Sequence, residues 1–267
     1  MNSSAQGQGV QPSLRNIAQH GGTYQQVLAC GTHMLAVRTG GVEVLLESSG
    51  HWKSVSHLPL SSIPVLYETE DGIFARFSLR LLKLAIDDAY QVHVLSEETL
   101  PVTHPVSQTN TKTIRKDNVV FSIVGPNKGL RIQRGNGKEN VCILPGYSHP
   151  SSLALSHNEH EVLVADVGAI HSIQVTSSQP KASSRLYLPG WPKDIACDEV
   201  GVYCANVLGV RWYREITDYP YLEEIDKLSQ LHFRIAKVIA RQGRIVACDE
   251  VRGIHFLAAQ DGRHESH

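Results

Sequence analysis

Residues His160–Val175 read HEVLVADVGAIHSIQV, and about forty residues later Gly201–Tyr213 read GVYCANVLGVRWY. Each stretch is a β-branched apolar run, a break of a few polar or glycine residues, and a second run that alternates apolar with polar. That pattern predicts two strands joined by a tight connection. A motif that recurs at a period of this size bears on the whole fold, because repeats of twenty to fifty residues build solenoids, propellers or arrays.

The residue opening the second strand of each pair serves as an anchor. The anchors are Gly41 in GGVEVL, Leu81 in LLKLAI, Gly129 in GLRIQR, Ala169 in AIHSIQV, Gly209 in GVRWYR and Gly253 in GIHFLA, at intervals of 40, 48, 40, 40 and 44 residues. An apolar run precedes every anchor, from HMLAV to RIVACD, and ahead of several lies a third, such as SLALSH and DIACDE. Three or four strands per unit and six units account for nearly the whole chain. LRR or β-helix coils have shorter periods and ladders of Leu or Asn that this chain lacks. The expectation is therefore an all-β chain, a single six-bladed β-propeller with repeats of about 40–48 residues. The units fall near 22–62, 63–105, 109–151, 152–192, 193–234 and 235–259, after a polar N-terminal leader (1–21) and before a polar tail (260–267). The last unit is short of strands, so a segment around Leu14–Gln19 is expected to join it and close the ring. Glycine at four anchors provides the positive φ or close approach of a tight turn, and Leu81 and Ala169 call for a different turn. The three-residue spacing of Leu222, Ile225 and Leu228 alone suggests a helix or a short helical turn.

The segments His149–Val175 and Trp191–Tyr213 resemble NHL-type and LVIVD-type propeller repeats, in which a proline and a short strand lead to a VYVAD-like strand and a Gly-led third strand. GRIVACDEVRGIHFL and HMLAVRTGGVEVL resemble them less closely, and the second and third units poorly. The resemblance implies a six-bladed propeller and leaves activity open, since such folds include protein-binding and RNA-binding modules and metal-dependent lactonases and lyases.

Composition narrows the setting. The 267 residues carry a formal net charge of -1, with 42% hydrophobic and 19% charged residues. That balance singles out no nucleic-acid partner. Cys30, Cys142, Cys197, Cys204 and Cys248 are odd in number and lack CxxC spacing, which fits reduced residues in an intracellular chain. Cys197, Cys204 and Cys248 are expected to be buried and unpaired. No apolar run approaches the roughly 18 residues of a membrane span, and the N-terminus lacks the pattern of a signal peptide.

Candidate chemistry is sparse. Asp166, Asn206 and Asp249 share one repeat position, just after the second strand, where their oxygens are either Ca²⁺ ligands or caps on the turn. The 14 histidines form no HxH or HExxH spacing, and no Ser elbow or phosphate loop is present. Between Lys112 and Lys138 seven basic residues, among them Lys128, Arg131, Arg134 and Lys138, face one acid, Asp117. That unit is either a docking face for an acidic surface or phosphate, or a solvated edge strand. Phe121 is the one aromatic available there for base stacking, which supports nucleic acid weakly. Trp212, Tyr219 and Tyr221 belong to an aromatic fifth unit whose ITDYPYLEEIDK loop also carries four acids. The composition favours a non-catalytic scaffold that binds a protein partner through loops and blade edges, without cofactor or essential metal. The alternative is a small-molecule hydrolase or lyase using the central pocket, with or without a metal.

Overall fold

The computed structural model describes residues 12–30, 32–48, 51–69, 71–77, 79–100, 113–125, 129–135, 138–146, 149–188, 190–215, 222–229 and 234–260. All regular elements among them are strands. They form six four-stranded antiparallel sheets, the blades of a β-propeller. The sixth blade takes its outermost strand from the N-terminal segment, β1 (Ser13–His20). Blade one holds β2 (Tyr24–Cys30), β3 (His33–Arg38), β4 (Gly41–Ser48) and β5 (His51–Pro59); blade two holds β6 (Val65–Thr69), β7 (Gly72–Arg76), β8 (Arg80–Ile86) and β9 (Val92–Thr99). Blade three runs through β10 (Thr113–Lys116), β11 (Val119–Gly125), β12 (Gly129–Arg134) and β13 (Lys138–Cys142). Blade four comprises β14 (Ser152–Leu155), β15 (Glu161–Asp166), β16 (Ala169–Gln174) and β17 (Ala182–Tyr187). Blade five is β18 (Pro192–Cys197), β19 (Val202–Asn206), β20 (Gly209–Glu215) and β21 (Leu222–Ser229). The sixth blade adds β22 (Ile235–Arg241), β23 (Arg244–Asp249) and β24 (Gly253–Gln260) to β1.

Closure rests on this borrowed strand. Ser13 pairs with Gln260 and His20 with Ile254, so β1 covers the open edge of β24. The Leu14 amide also donates to Asp226 Oδ2 on β21 at 2.6 Å, and Trp52 of β5 stacks on Phe256 of β24 at 4.8 Å. The blade that β1 completes thus touches both of its neighbours.

Inner strands such as β3, β15 and β19 are buried on both faces, because neighbouring blades lie on either side, while outermost strands such as β9 are exposed. Residues alternate between two interblade cores rather than between core and water. Phe121, Leu130, Ile132, Val162, Val164 and Ile173 fill the gap between blades three and four. Tyr203, Trp212, Ile235, Val238, Ile245 and Leu257 fill that between five and six. In five of the six sheets the pairing of the two outermost strands shifts register near the same place, as between Val44 and Leu45 or Trp212 and Tyr213. Such bulges increase the local twist, which a blade needs toward its rim.

Five of the six anchors open the third strand of their sheets, and Leu81 is the second residue of β8. Gly41, Gly129, Gly209 and Gly253 all have positive φ. At Gly253 (φ 107°) a Cβ would lie 2.0 Å from the His20 carbonyl oxygen, and at Gly41 (φ 152°) 2.1 Å from that of Leu58. The outer strand therefore passes too close to the anchor for any side chain. At Ala169 the left-handed residue is Gly168, one position earlier, with φ 72°. At Leu81 the turn is closed by the Phe77 amide on the Arg80 carbonyl at 2.8 Å.

The segment expected to hold a helix forms strands instead. Its Leu222–Ser229 portion is β21, and the bulge explains the spacing: Tyr213 pairs with Glu224 but Trp212 with Asp226, leaving Ile225 as the extra residue. Leu222 therefore packs with Tyr213 toward blade four, and Leu228 with Val210 toward blade six.

Candidate functional site

The strand order gives the disc two unlike faces. Turns between second and third strands and the connections from one blade to the next share one end, here the upper face. The remaining turns share the lower face.

Asp166, Asn206 and Asp249 stand at the upper ends of their second strands, and each caps its own turn. Asp166 Oδ1 accepts from Val167 N at 2.7 Å and from His149 N at 2.5 Å. Asn206 Oδ1 accepts from Leu208 N at 2.8 Å. Asp249 Oδ1 accepts from Val251 N at 2.8 Å and Arg252 N at 3.0 Å. Among the described residues, no three His, Cys, Asp or Glu stand close enough to hold a metal ion. Capping engages the oxygens with the backbone donors of their own turns.

Beneath the caps lie buried acid–base pairs that sequence spacing alone did not reveal. His171 Nε2 lies 3.5 Å from Asp166 Oδ2, and His255 Nε2 lies 3.7 Å from Asp249 Oδ2, all four side chains being at most 4% exposed. Burial lowers the His255 pKa, opposed by Asp249. In blade one the charges are reversed: Arg38 Nη2 bridges Glu43 Oε1 at 2.9 Å, and Tyr24 Oη donates to Glu43 Oε2 at 2.7 Å. The signal was present as the second residue after the anchor: Glu43, His171, Arg211 and His255. A further buried acid, Asp194 on β18, accepts from Ser152 Oγ in blade four and from Val238 N in blade six at 2.9 Å.

The residues expected to dock a partner scatter. Trp212 is fully buried between blades five and six, against Tyr203, so it offers no surface, a correction of the sequence-based expectation. Arg134 turns its Nη2 onto the carbonyls of Val175 and Ser177 in the next blade, and Arg131 bridges Glu139 at 2.9 Å. Both are anchored within the protein, so the basic blade is less of a free cationic surface than its composition suggests. Lys138 opens β13, and Lys128, Tyr219 and Tyr221 lie outside the described residues.

On the lower face a pocket of about 250 Å³ is lined by His157, Cys197, Asp198, Glu199, Arg214 and Glu215. Cys197 is half-buried rather than buried as expected, and burial, reinforced by Glu215, pushes its thiol up to about 12. It is no thiolate nucleophile at neutral pH. Cys204 and Cys248 are buried and unpaired as expected.

The upper face departs most from an ordinary surface. Of the 14 exposed large hydrophobic residues among those described, nine lie at this end of the disc, seven in its turns and connections and two, Val65 and Tyr187, at strand ends. Ile63 and Val65 flank the entry to blade two, Leu79 lies in that blade's turn, and Ile143 follows β13. Tyr187 and Trp191, 69% and 49% exposed, bracket the passage from blade four to five. Val207, Leu208 and Val251 occupy the turns of blades five and six. The other five lie on outermost strands, and none in a described turn of the lower face.

Comparison with solved structures agrees with the fold. A streptogramin B lyase superposes with a TM-score of 0.65 at 12% identity, covering 92% of this chain and 97% of that one. Sqt1 of Saccharomyces cerevisiae gives 0.58 at 12% identity, covering 86% and 81%, and a gluconolactonase of Xanthomonas campestris gives 0.56 at 11%, covering 92% and 89%. At such identities the likeness establishes the six-bladed propeller and nothing finer. No protein-family model matches the chain, and no curated sequence matches it.

Proposed function

We propose that this chain is a non-catalytic propeller scaffold, NHL-like in its repeats, whose upper face holds a protein partner. The observation that carries this reading is the gathering of exposed apolar side chains on one end of the disc. Exposed apolar side chains are unfavourable in water, and their concentration on one end of a protein favours an interaction there. Tyr187 and Trp191 are residue types that dominate binding hot spots. The five unpaired cysteines suit a reducing, intracellular setting. A second reading, a small-molecule hydrolase or lyase, draws on the buried Asp166–His171 and Asp249–His255 pairs below the same face. Their near-complete burial favours a structural role. The test is quantitative capture of partners from the native cell extract by the chain and by a Tyr187→Glu, Trp191→Glu, Leu208→Glu variant. Loss of specific partners at unchanged melting temperature is expected; equal capture, or turnover of lactones by the unaltered chain, would overturn the reading.

A further inference from the structure

The six third strands can be compared residue by residue. Alternate side chains point to opposite faces, so the third and fifth residues of each look back at the preceding blade. The fifth residues Leu45, Leu84, Ile173, Tyr213 and Leu257 are at most 2% exposed and enter the cores shared with that blade. In blade three the fifth residue is Gln133, which is exposed. At the third position the Arg131 side chain is 49% exposed, against 17% for Arg211 and at most 6% for Glu43, His171 and His255. Blade three thus turns a polar, wetted wall toward blade two.

Blade two answers in kind. The fourth residue of each third strand faces the following blade and is at most 4% exposed in the other five. In blade two it is Lys83, partly exposed, whose Nζ stands 5.9 Å over the Phe74 ring. Arg131, on the opposite wall, pairs with Glu139 of its own blade at 2.9 Å. Among the described strand residues, every buried apolar side chain of blade two joins the core shared with blade one, and every one of blade three the core shared with blade four. Apolar burial is the main force holding packed elements together, and regions with little of it open at the lowest free energy. The chain ends, by contrast, are fastened by β1 on β24 and by the core of blades six and one.

We infer that the ring opens between blades two and three while its other five interfaces stay closed. The compliant part of the disc is then a mid-chain interface and not the terminal closure. Opening leaves an unbroken arc from blade three through blade six to blade two. It uncovers Tyr67 and Phe74, stacked at 5.6 Å and half-buried on blade two's wall. The inference is independent of the scaffold reading.

The test is oxidative footprinting and thiol labelling of the full chain through a urea series. Below the global transition, oxidation of Tyr67 and Phe74 is expected to rise at least about twofold, with Phe121, Trp212 and Phe256 unchanged. Cys30, Cys142, Cys204 and Cys248, each buried in one of the other cores, are expected to stay unlabelled over that range. Combining Arg131→Leu with Gln133→Leu gives blade three an apolar wall and should move the Tyr67 and Phe74 rise toward the global transition. Lys83→Met on the opposite wall should act in the same direction and serves if the pair disturbs folding. A single transition shared by all these residues, earlier exposure of Phe256 or Cys248 at the terminal closure, or no shift in a folded apolar variant would overturn the inference.

Discussion

Asp194 on the inner strand of blade five accepts the backbone N–H of Val238 on the inner strand of blade six at 2.9 Å, while its other oxygen accepts from Ser152 Oγ in blade four. One buried carboxylate thus ties three consecutive blades at the channel. Gln26 does the same between blades one and two, its amide exchanging bonds with Leu66 N at 2.9 Å and Leu66 O at 2.6 Å. Asp194→Ala removes the acceptor and leaves a buried amide unsatisfied, at a cost of about 1–3 kcal/mol. Denaturant titration of the variant is expected to show a lower midpoint with unchanged slope; an unchanged midpoint would contradict the tie.

Gly253 tests the closure of the ring. Replacing it with alanine forces a Cβ against the His20 carbonyl oxygen, at a φ that L-residues rarely adopt, so β1 must shift. Gly21→Ala, one residue beyond His20, meets nothing within 4 Å and should be silent. The expected result is a loss of at least about 1 kcal/mol for Gly253→Ala alone. Removing residues 1–22 should lower the melting temperature by several degrees by exposing the edge of β24. Equal melting curves would place the closure elsewhere.

The thiols should react in the order of their exposure. Cys204 and Cys248 are buried, and burial pushes both thiols up to about 12. Cys197 is shifted similarly but only half-buried, in the lower pocket. A thiol reagent near neutral pH is expected to modify Cys197 first and slowly, leaving Cys204 and Cys248 until unfolding. Simultaneous labelling of all three in the folded chain would contradict their placement.

The His255 environment predicts acid sensitivity at the seam. Burial is the main cause lowering its pKa from 6.5, with Arg252 adding to it and Asp249 opposing. A depressed folded value means that the unfolded chain binds the proton more readily. The stability this group contributes is full above its unfolded pKa and declines as pH falls below about 6.5. Melting curves between about pH 7.5 and pH 5 should fall less steeply for His255→Gln than for the unaltered chain. Parallel curves would exclude the histidine as a source of the slope.

Much of the fold was legible because the backbone enforces it. The anchors had to be glycine wherever the outer strand passes within about 2 Å of a hypothetical Cβ, as at Gly41 and Gly253. The false helical signal at Leu222, Ile225 and Leu228 arose because a bulge moves apolar residues from period two to period three. The site was less legible. Trp191 and Trp212 look equally suited to docking in the sequence, yet one is 49% exposed and the other 0%. Which face of a blade looks into a neighbour depends on closing the ring, and so does the placing of Tyr187, Leu208 and Val251, from three different blades, at one end of the disc. The caps at Asp166, Asn206 and Asp249 needed only local turn chemistry, so that alternative could be stated from the sequence.

The docking role of the upper face is tested most directly by hydroxyl-radical footprinting of the chain alone and in complex with a captured partner. Protection is expected at Tyr187, Trp191, Leu208 and Val251, with Val94 and Leu95 on the outer strand β9 still reactive. Protection of Val94 and Leu95 with the upper-face residues unchanged would contradict it.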